Sequence, residues 1–349
     1  MRAGVLYGPG DLRVEERAEP IPGPADVVVR VTYNGLCGTD ATEYAKGPMM
    51  VPLHRRHPGS GHVGPTVLGH EFIGAVVDAG SDARHLVGQR IASGAGVSCG
   101  SCRRCRQGRT NLCAAYYTLG LNTHGGLAEF VAAPASTCVA IPDDCADSDA
   151  ALAQPLAVGL HAVRRAGIHP GDTVVVAGAG AIGAFILSGL GSHDGPVIAA
   201  DIDQDRLVVA EGLGATSSFL LPRDAGPDAL RDVVPGGADV VFETSGVTGA
   251  TARAFRGAAP GGTVVQVGLN QTRQPLNLAE VVLREVDLIT TVAHVCAQDM
   301  PEALRRLAGG SLSGLLDRIV PLEDVVTQGF EPLVAGLAAG KILVDPRRG

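Results

Sequence analysis

The chain has no tryptophan, only five tyrosines and seven phenylalanines, and its only lysines are Lys46 and Lys341. No basic block offsets this scarcity, and the formal net charge is −8. Nucleic-acid binders need a basic footprint, so that class is excluded. The N-terminus, MRAGVLYGPGDL, lacks the apolar core of a secretory signal and reads as a first strand, so a cytoplasmic protein is expected. No charge occurs between Asp172 and Asp194, but glycines interrupt that run. A membrane span needs ~20 mainly apolar residues, and a buried strand, turn and helix fits the run better.

What is plentiful points elsewhere. Apolar residues make up 46% of the 349, enough for full-sized cores and for two domains. There are 48 glycines and eight cysteines. In a reducing compartment clustered cysteines mean metal more often than disulfides.

The glycines matter most between Thr173 and Asp201. A β-branched run, Thr173 to Val176, is followed by Gly178, Gly180 and Gly183 in GxGxxG spacing, then an apolar helical segment, then a second strand ending on Asp201. Gly178 permits a tight turn, Gly180 lets backbone approach a pyrophosphate, and Gly183 lets the helix pack close to the strand. The helix N-terminus offers N–H groups to the phosphates. Asp201 follows Gly183 by 18 residues. It can accept hydrogen bonds from both adenosine ribose hydroxyls and repel a 2′-phosphate, so NAD is expected over NADP. The expected cofactor residues are Gly178, Gly180, Ala181, Ile182, Gly183, Asp201 and Arg206.

Residues 1 to about 150 read as strand and turn: Asp26 to Tyr33, Phe72 to Ala79, a strand opened by Gly88 to Ile91, Gly126 to Ala133, and Thr137 to Ile141. From Asp149 the period changes. Ala150 to Ala166 reads as a helix bent by Pro155, and strands at Ala238, Gly262 and Val286 then alternate with helices. That alternation predicts a parallel sheet with right-handed crossovers. The strand Lys341 to Asp345 has no place in such a sheet and is expected to return to the first domain.

Cys99, Cys102, Cys105 and Cys113 are spaced x2, x2, x7. Four thiolates on a short loop close a tetrahedral zinc shell, which leaves no open position and so predicts a structural role. Disulfides and an iron–sulfur cluster are the competing readings. A second set is dispersed: Cys37, His70, Glu71 and Gln154. Alone, each reads as a buried thiol or a satisfied polar residue. Together they supply S, N and O ligands, and a catalytic zinc needs three protein ligands and an open position. Cys37 and His70 lead, with Glu71 and Gln154 competing for the rest. His54, His57 and His62 read as a solvated or interface loop, His161 as structural, and Cys138, Cys145 and Cys296 as buried thiols.

These motifs resemble the zinc-dependent medium-chain dehydrogenase/reductase superfamily, most closely its butanediol and sorbitol dehydrogenase branch. The likeness runs through CGTD at Cys37, VLGHEF at Val67, the four-cysteine lobe, GGLAEFV at Gly125, QPLAVGLHAVRRAG at Gln154, GAGAIG at Gly178 and KILVDP near the end. The resemblance implies an α/β fold: a GroES-like, mostly β catalytic domain (1–152 and 295–349, with a zinc lobe at 97–115) and a Rossmann doubly wound coenzyme domain (153–294). It also implies one catalytic and one structural zinc per chain, NAD, a homodimer or homotetramer, and Thr39 as the hydroxyl beside the metal. Two positions depart from the pattern. Gln154 stands where the branch has Glu, removing a negative charge, and Thr42 stands where a His usually serves the proton path. The expected reaction is hydride transfer between NAD(H) and a secondary alcohol, vicinal diol or polyol. The departures keep open a tailoring dehydrogenase acting on a cyclitol or aminocyclitol. A non-catalytic nucleotide-binding scaffold is the third reading.

Overall fold

In the computed structural model the described residues are 1–348 except 271, 272, 274 and 311. The chain divides into two units, residues 1–157 with 294–349, and residues 158–293. No described helix is long and apolar enough to cross a membrane.

The first unit is built on strand β3 (Asp26–Gly35), where valines alternate inward: Val27, Val29 and Val31 are fully buried. β-Branched side chains at every second position suit a pleated strand with one face in a core. β1 (Arg2–Gly8), β2 (Asp11–Glu16) and β4 (Thr66–Val67) form a three-stranded sheet in the order β2-β1-β4. The larger sheet contains β3, β5 (Glu71–Ala79), β6 (Arg90–Ser93), β9 (Phe130–Pro134), β10 (Cys138–Ala140), β17 (Leu316–Pro321) and β18 (Lys341–Asp345). Along one edge β3 pairs with β5. On the other, its first half pairs with β9 and its last residues with β18. This register sets Gly35 opposite Glu71 on one side and Leu343 on the other. Lys341–Asp345 therefore lies beside β3, in the first unit's sheet.

Helix α1 (Gly38–Lys46) leaves the end of β3. The cysteine lobe carries a two-stranded ladder, β7 (Gly96–Val97) with β8 (Tyr117–Thr118), and the short helix α2 (Arg103–Arg106). One expected strand is shorter than its sequence suggests. Gly125, Gly126 and Leu127 donate their N–H groups to Val67, Gly69 and Leu68, so regular pairing begins only at Phe130.

The helix around Pro155 also differs from expectation. A short helix α3 (Asp147–Ala150) stops, and α4 (Ala153–Ala166) starts afresh two residues before the proline. Pro155 thus falls in a first turn, where its missing N–H costs nothing, and no bend is required.

The second unit is a six-stranded, all-parallel sheet in the order β13-β12-β11-β14-β15-β16. Its strands are β11 (Val174–Ala177), β12 (Val197–Asp201), β13 (Ser217–Leu220), β14 (Ala238–Glu243), β15 (Ala258–Gln266) and β16 (Asp287–Thr290). Alternate residues feed two cores. Val174, Val176, Ala199 and Phe242 meet α4, α5 (Ala181–Gly189) and α6 (Gln204–Gly212) on one face. Val175, Ile198, Val241 and Val264 meet α7 (Ala229–Val233) and α8 (Ala250–Gly257) on the other. Two covered faces explain the near-continuous apolar strands. The α/β, doubly wound expectation is borne out.

Candidate active site and metal centres

The end of β3, the start of α1 and the start of β5 deliver one cluster. Cys37 caps α1, His70 immediately precedes β5 and Glu71 opens it, with ligand atoms of all three within 4.8 Å of one another. Glycine at position 35 leaves room for this arrangement: a Cβ there would lie 2.5 Å from Glu71 Oε2. Asp40, fully buried, holds the cluster in place. Its Oδ2 accepts the Cys37 N–H at 3.0 Å and its Oδ1 lies 3.1 Å from His70 Nδ1. A carboxylate on Nδ1 fixes the tautomer and turns the Nε2 lone pair outward as a metal ligand. Burial works against a charged imidazole, but Asp40 and Cys37 outweigh it and raise the His70 pKa well above its ordinary value.

Glu71 has a second claimant. Lys341 Nζ, at the start of β18, lies 2.7 and 2.9 Å from the two Glu71 oxygens and also donates to the Leu36 carbonyl. Both side chains are almost fully buried. Burial acts to lower the Lys341 pKa, but Glu71, Cys37 and Asp40 outweigh it and raise it. Sequence reasoning missed Asp40 and Lys341. The CGTD motif contained the first; Lys341, one of only two lysines and set in an apolar strand, was the available signal for the second.

Thr39 lies half-buried in the first turn of α1, and Thr42 donates its hydroxyl to Gly38 O at 2.8 Å within the same helix. Gln154 is the second residue of α4 and half-buried.

On the lobe, the sulfurs of Cys99, Cys102, Cys105 and Cys113 all lie within 4.8 Å of one another. Tetrahedral zinc with Zn–S of ~2.3 Å places sulfurs ~3.8 Å apart, and Cys102 and Cys105 are 3.6 Å apart. Backbone N–H groups of Ser101 and Cys102 push the Cys99 thiol down to about 6, whereas burial, then Cys102 and Cys113, push Cys105 up to about 11. All eight cysteines are free of disulfides. Both donor sets fit zinc. Among the described residues no other group of three or more His, Cys, Asp or Glu has metal-site geometry, and His54, His57 and His62 belong to none. The Nδ1 of His57 instead accepts from Gly59 and Ser60.

The glycine turn sits at the carboxyl end of β11. Gly178 has φ of +102°, and a Cβ on Gly183 would lie 1.9 Å from Gly178 O. Around Gly180 the nearest side-chain atom is Arg206 Nη1, 3.9 Å from the Cβ position, which leaves room for a phosphate. Ala181 and Ile182 open α5. Asp201 does more than the sequence suggested. Its Oδ2 accepts the Ala179 N–H at 2.6 Å and its Oδ1 accepts Asp203 N–H at 3.0 Å, so it also braces the turn.

Comparison with known proteins shows the family. Residues 23–143 match the alcohol dehydrogenase GroES-like domain, and residues 180–309 the zinc-binding dehydrogenase domain. The chain is 32% identical to L-idonate 5-dehydrogenase of Vitis vinifera over 98% of this chain and 94% of that one. The chain belongs to the zinc-dependent alcohol dehydrogenase superfamily. It is also 32% identical to sorbitol dehydrogenase of Bos taurus, over 98% of this chain and 96% of the relative. The crystal structure of 2R,3R-butanediol dehydrogenase from Bacillus subtilis superposes with a TM-score of 0.89 at 28% identity, covering 99% of each chain. Membership of this superfamily makes the chain a dehydrogenase with a GroES-like and a Rossmann domain.

Proposed function

We propose that the protein oxidises a secondary alcohol, vicinal diol or polyol to its ketone, reversibly, with NAD as hydride acceptor. The observation that carries this reading is the buried convergence of Cys37, His70 and Glu71, fixed by Asp40 and Lys341. The relatives named for idonate, sorbitol and butanediol point to the same substrate class.

Cys37 and His70, with Glu71 or Gln154, would hold the catalytic zinc, and the four lobe cysteines a structural one. A zinc in the first position supplies Lewis acidity to an alcohol oxygen, and the nicotinamide supplies the hydride acceptor. The chain's residues do the rest. Asp40 keeps the His70 tautomer. Lys341 balances the Glu71 charge, so the donor set stays less negative than its residue types suggest. Gln154, as a ligand in place of Glu71, would bring only a neutral amide. Thr39 carries the hydroxyl that passes the substrate proton onward. Thr42 has no titrating group, and its hydroxyl is turned back on its own helix. Asp201 selects NAD by offering a carboxylate where NADP has a phosphate, and Arg206 stands near the phosphate turn.

A panel of butanediol, sorbitol, idonate and cyclitols with NAD and NADP, run on protein of measured zinc content, tests this directly. Two zincs per chain and turnover of a diol or polyol with NAD are expected. Zinc-replete protein inactive on every secondary alcohol would sink the proposal. Asp201→Ser should relax discrimination against NADP, and an unchanged ratio would remove Asp201 from the ribose contact.

A further inference from the structure

We infer that Glu243 is a positioning residue for the nicotinamide half of the dinucleotide; this rests on the NAD reading above. The strand order reverses between β11 and β14, which marks the crevice where a dinucleotide lies. Asp201, at the end of β12, takes the adenosine side, and the glycine turn after β11 takes the pyrophosphate. The remaining half must extend over the carboxyl ends of β14 and β15.

One buried carboxylate organises those ends. Glu243 is the last residue of β14 and is fully buried. Its Oε1 accepts the Ser245 N–H at 2.8 Å, the Ser245 hydroxyl at 2.5 Å and the Gly246 N–H at 3.0 Å. Its Oε2 accepts the Gln266 amide at 2.5 Å. Gln266, its partner across the β14–β15 ladder, also donates to Gly268 O and accepts from Thr251 of α8. The Glu243 carbonyl accepts Val267 and Gly268 N–H at 2.9 Å each. The turns at 244–246 and 266–268 are thereby drawn so close that a Cβ on Gly268 would lie 2.3 Å from Gly246 N. None of the described ion pairs involves Glu243, and the groups bonded to its carboxyl oxygens are all neutral donors. A buried carboxylate without a cation is costly unless its lone pairs are filled, and here four donors fill them.

The network also reaches the phosphate turn. Thr244, next in sequence, donates its hydroxyl to Gly178 O at 2.6 Å. That bond is separate from the carboxylate, so weakening Glu243 should disturb the 245–246 and 266–268 turns while Thr244 still braces the glycine loop.

The test is calorimetric binding of NADH and of ADP, the latter probing only the adenosine and pyrophosphate side, to the full chain and to Glu243→Gln. The substitution keeps shape but puts an amide N–H₂ against existing donors. NADH affinity should fall about tenfold or more, as for loss of hydrogen bonds to a charged group, while ADP affinity stays within about twofold of the parent. Ser245→Ala, which removes one donor and keeps the backbone bonds, should shift NADH binding in the same direction by less, and it serves if Glu243→Gln does not fold. Equal losses for NADH and ADP, or no loss of NADH binding in either variant, would overturn the inference. A parent protein that binds neither ligand would instead overturn the nucleotide reading on which it rests.

Discussion

The two cysteine-bearing centres are built on opposite plans. The lobe draws four sulfurs from residues 99 to 113, a loop with a two-stranded ladder, and the loop's own N–H groups point at those sulfurs. The other centre draws Cys37 from a helix cap, His70 and Glu71 from a strand start, and Lys341 from 270 residues beyond Glu71. A closed shell locks its own ligands, so a loop suffices. A site that must leave a position open has no such self-locking. Its ligands need outside partners, and Asp40 and Lys341 supply them from the same sheet and helix. With the zincs proposed above, one plan would yield a part that folds with its metal, the other a part the fold prepares in advance.

The largest effect should come from the prepared site. Cys37→Ser or His70→Ala is expected to abolish turnover while NADH binding stays within about twofold of the parent, since the nucleotide turn lies on the other unit. Loss of NADH binding in step with turnover would show that the two sites are not separable. Next comes Lys341→Met, which strands the Glu71 charge in a buried position. Removing one partner of such a pair costs ~3–5 kcal/mol. Denaturant midpoints should show this loss, and Glu71→Gln in the same chain should restore most of it. A Lys341→Met protein as stable as the parent would mean that Glu71 has another partner.

The same contrast explains what was legible in the sequence. The lobe was readable because its four ligands sit at fixed short spacings, and the glycine turn because its backbone demands appear as residue types. Cys37, His70, Glu71 and Thr39 could be nominated from motifs. The meeting of Cys37, His70 and Glu71 depends on the β3–β5 register that sets Gly35 opposite Glu71, which no local pattern encodes. Lys341 was hidden because β3 and β18 pair across some 300 residues, and a lysine in an apolar strand reads simply as its polar end. Glu243 was hidden differently: its partners are mostly backbone N–H groups, which a sequence does not display. The bend expected at Pro155 is absent because the helix starts at Ala153 and not at Ala150. A helix boundary two residues upstream turns a breaker into a tolerated first-turn residue.

A smaller effect is expected at the lobe. Cys102→Ser should remove one zinc per chain and lower the melting temperature, at ~2–4 °C per kcal/mol lost, with kcat near the parent value at temperatures below the transition. If kcat falls as far as in Cys37→Ser, the lobe is not merely a fold element, and the contrast between the two plans fails.

The smallest effect concerns what steadies the strand leading into His70 and Glu71. His124 Nδ1 accepts the Val67 N–H of β4 at 3.1 Å, with its ring edge-on to His62 at 4.7 Å between centroids. Partial burial, then His62 and Arg17, push the His124 pKa down to about 4 from the usual 6.5. The acceptor role requires the neutral ring. The unfolded chain takes up a proton as pH falls below 6.5, and the folded chain resists until about 4, so stability should drain across that window and be unaffected above it. His62 is shifted the same way by burial and adds to the slope. His124→Asn keeps an acceptor for Val67 and cannot titrate. Its urea midpoint should therefore fall less between pH 6.5 and 4.5 than the parent's, the carboxylates contributing equally to both. Parallel curves would mean that the Val67 N–H does not depend on His124, and that the prepared site is steadied at this edge by the sheet alone.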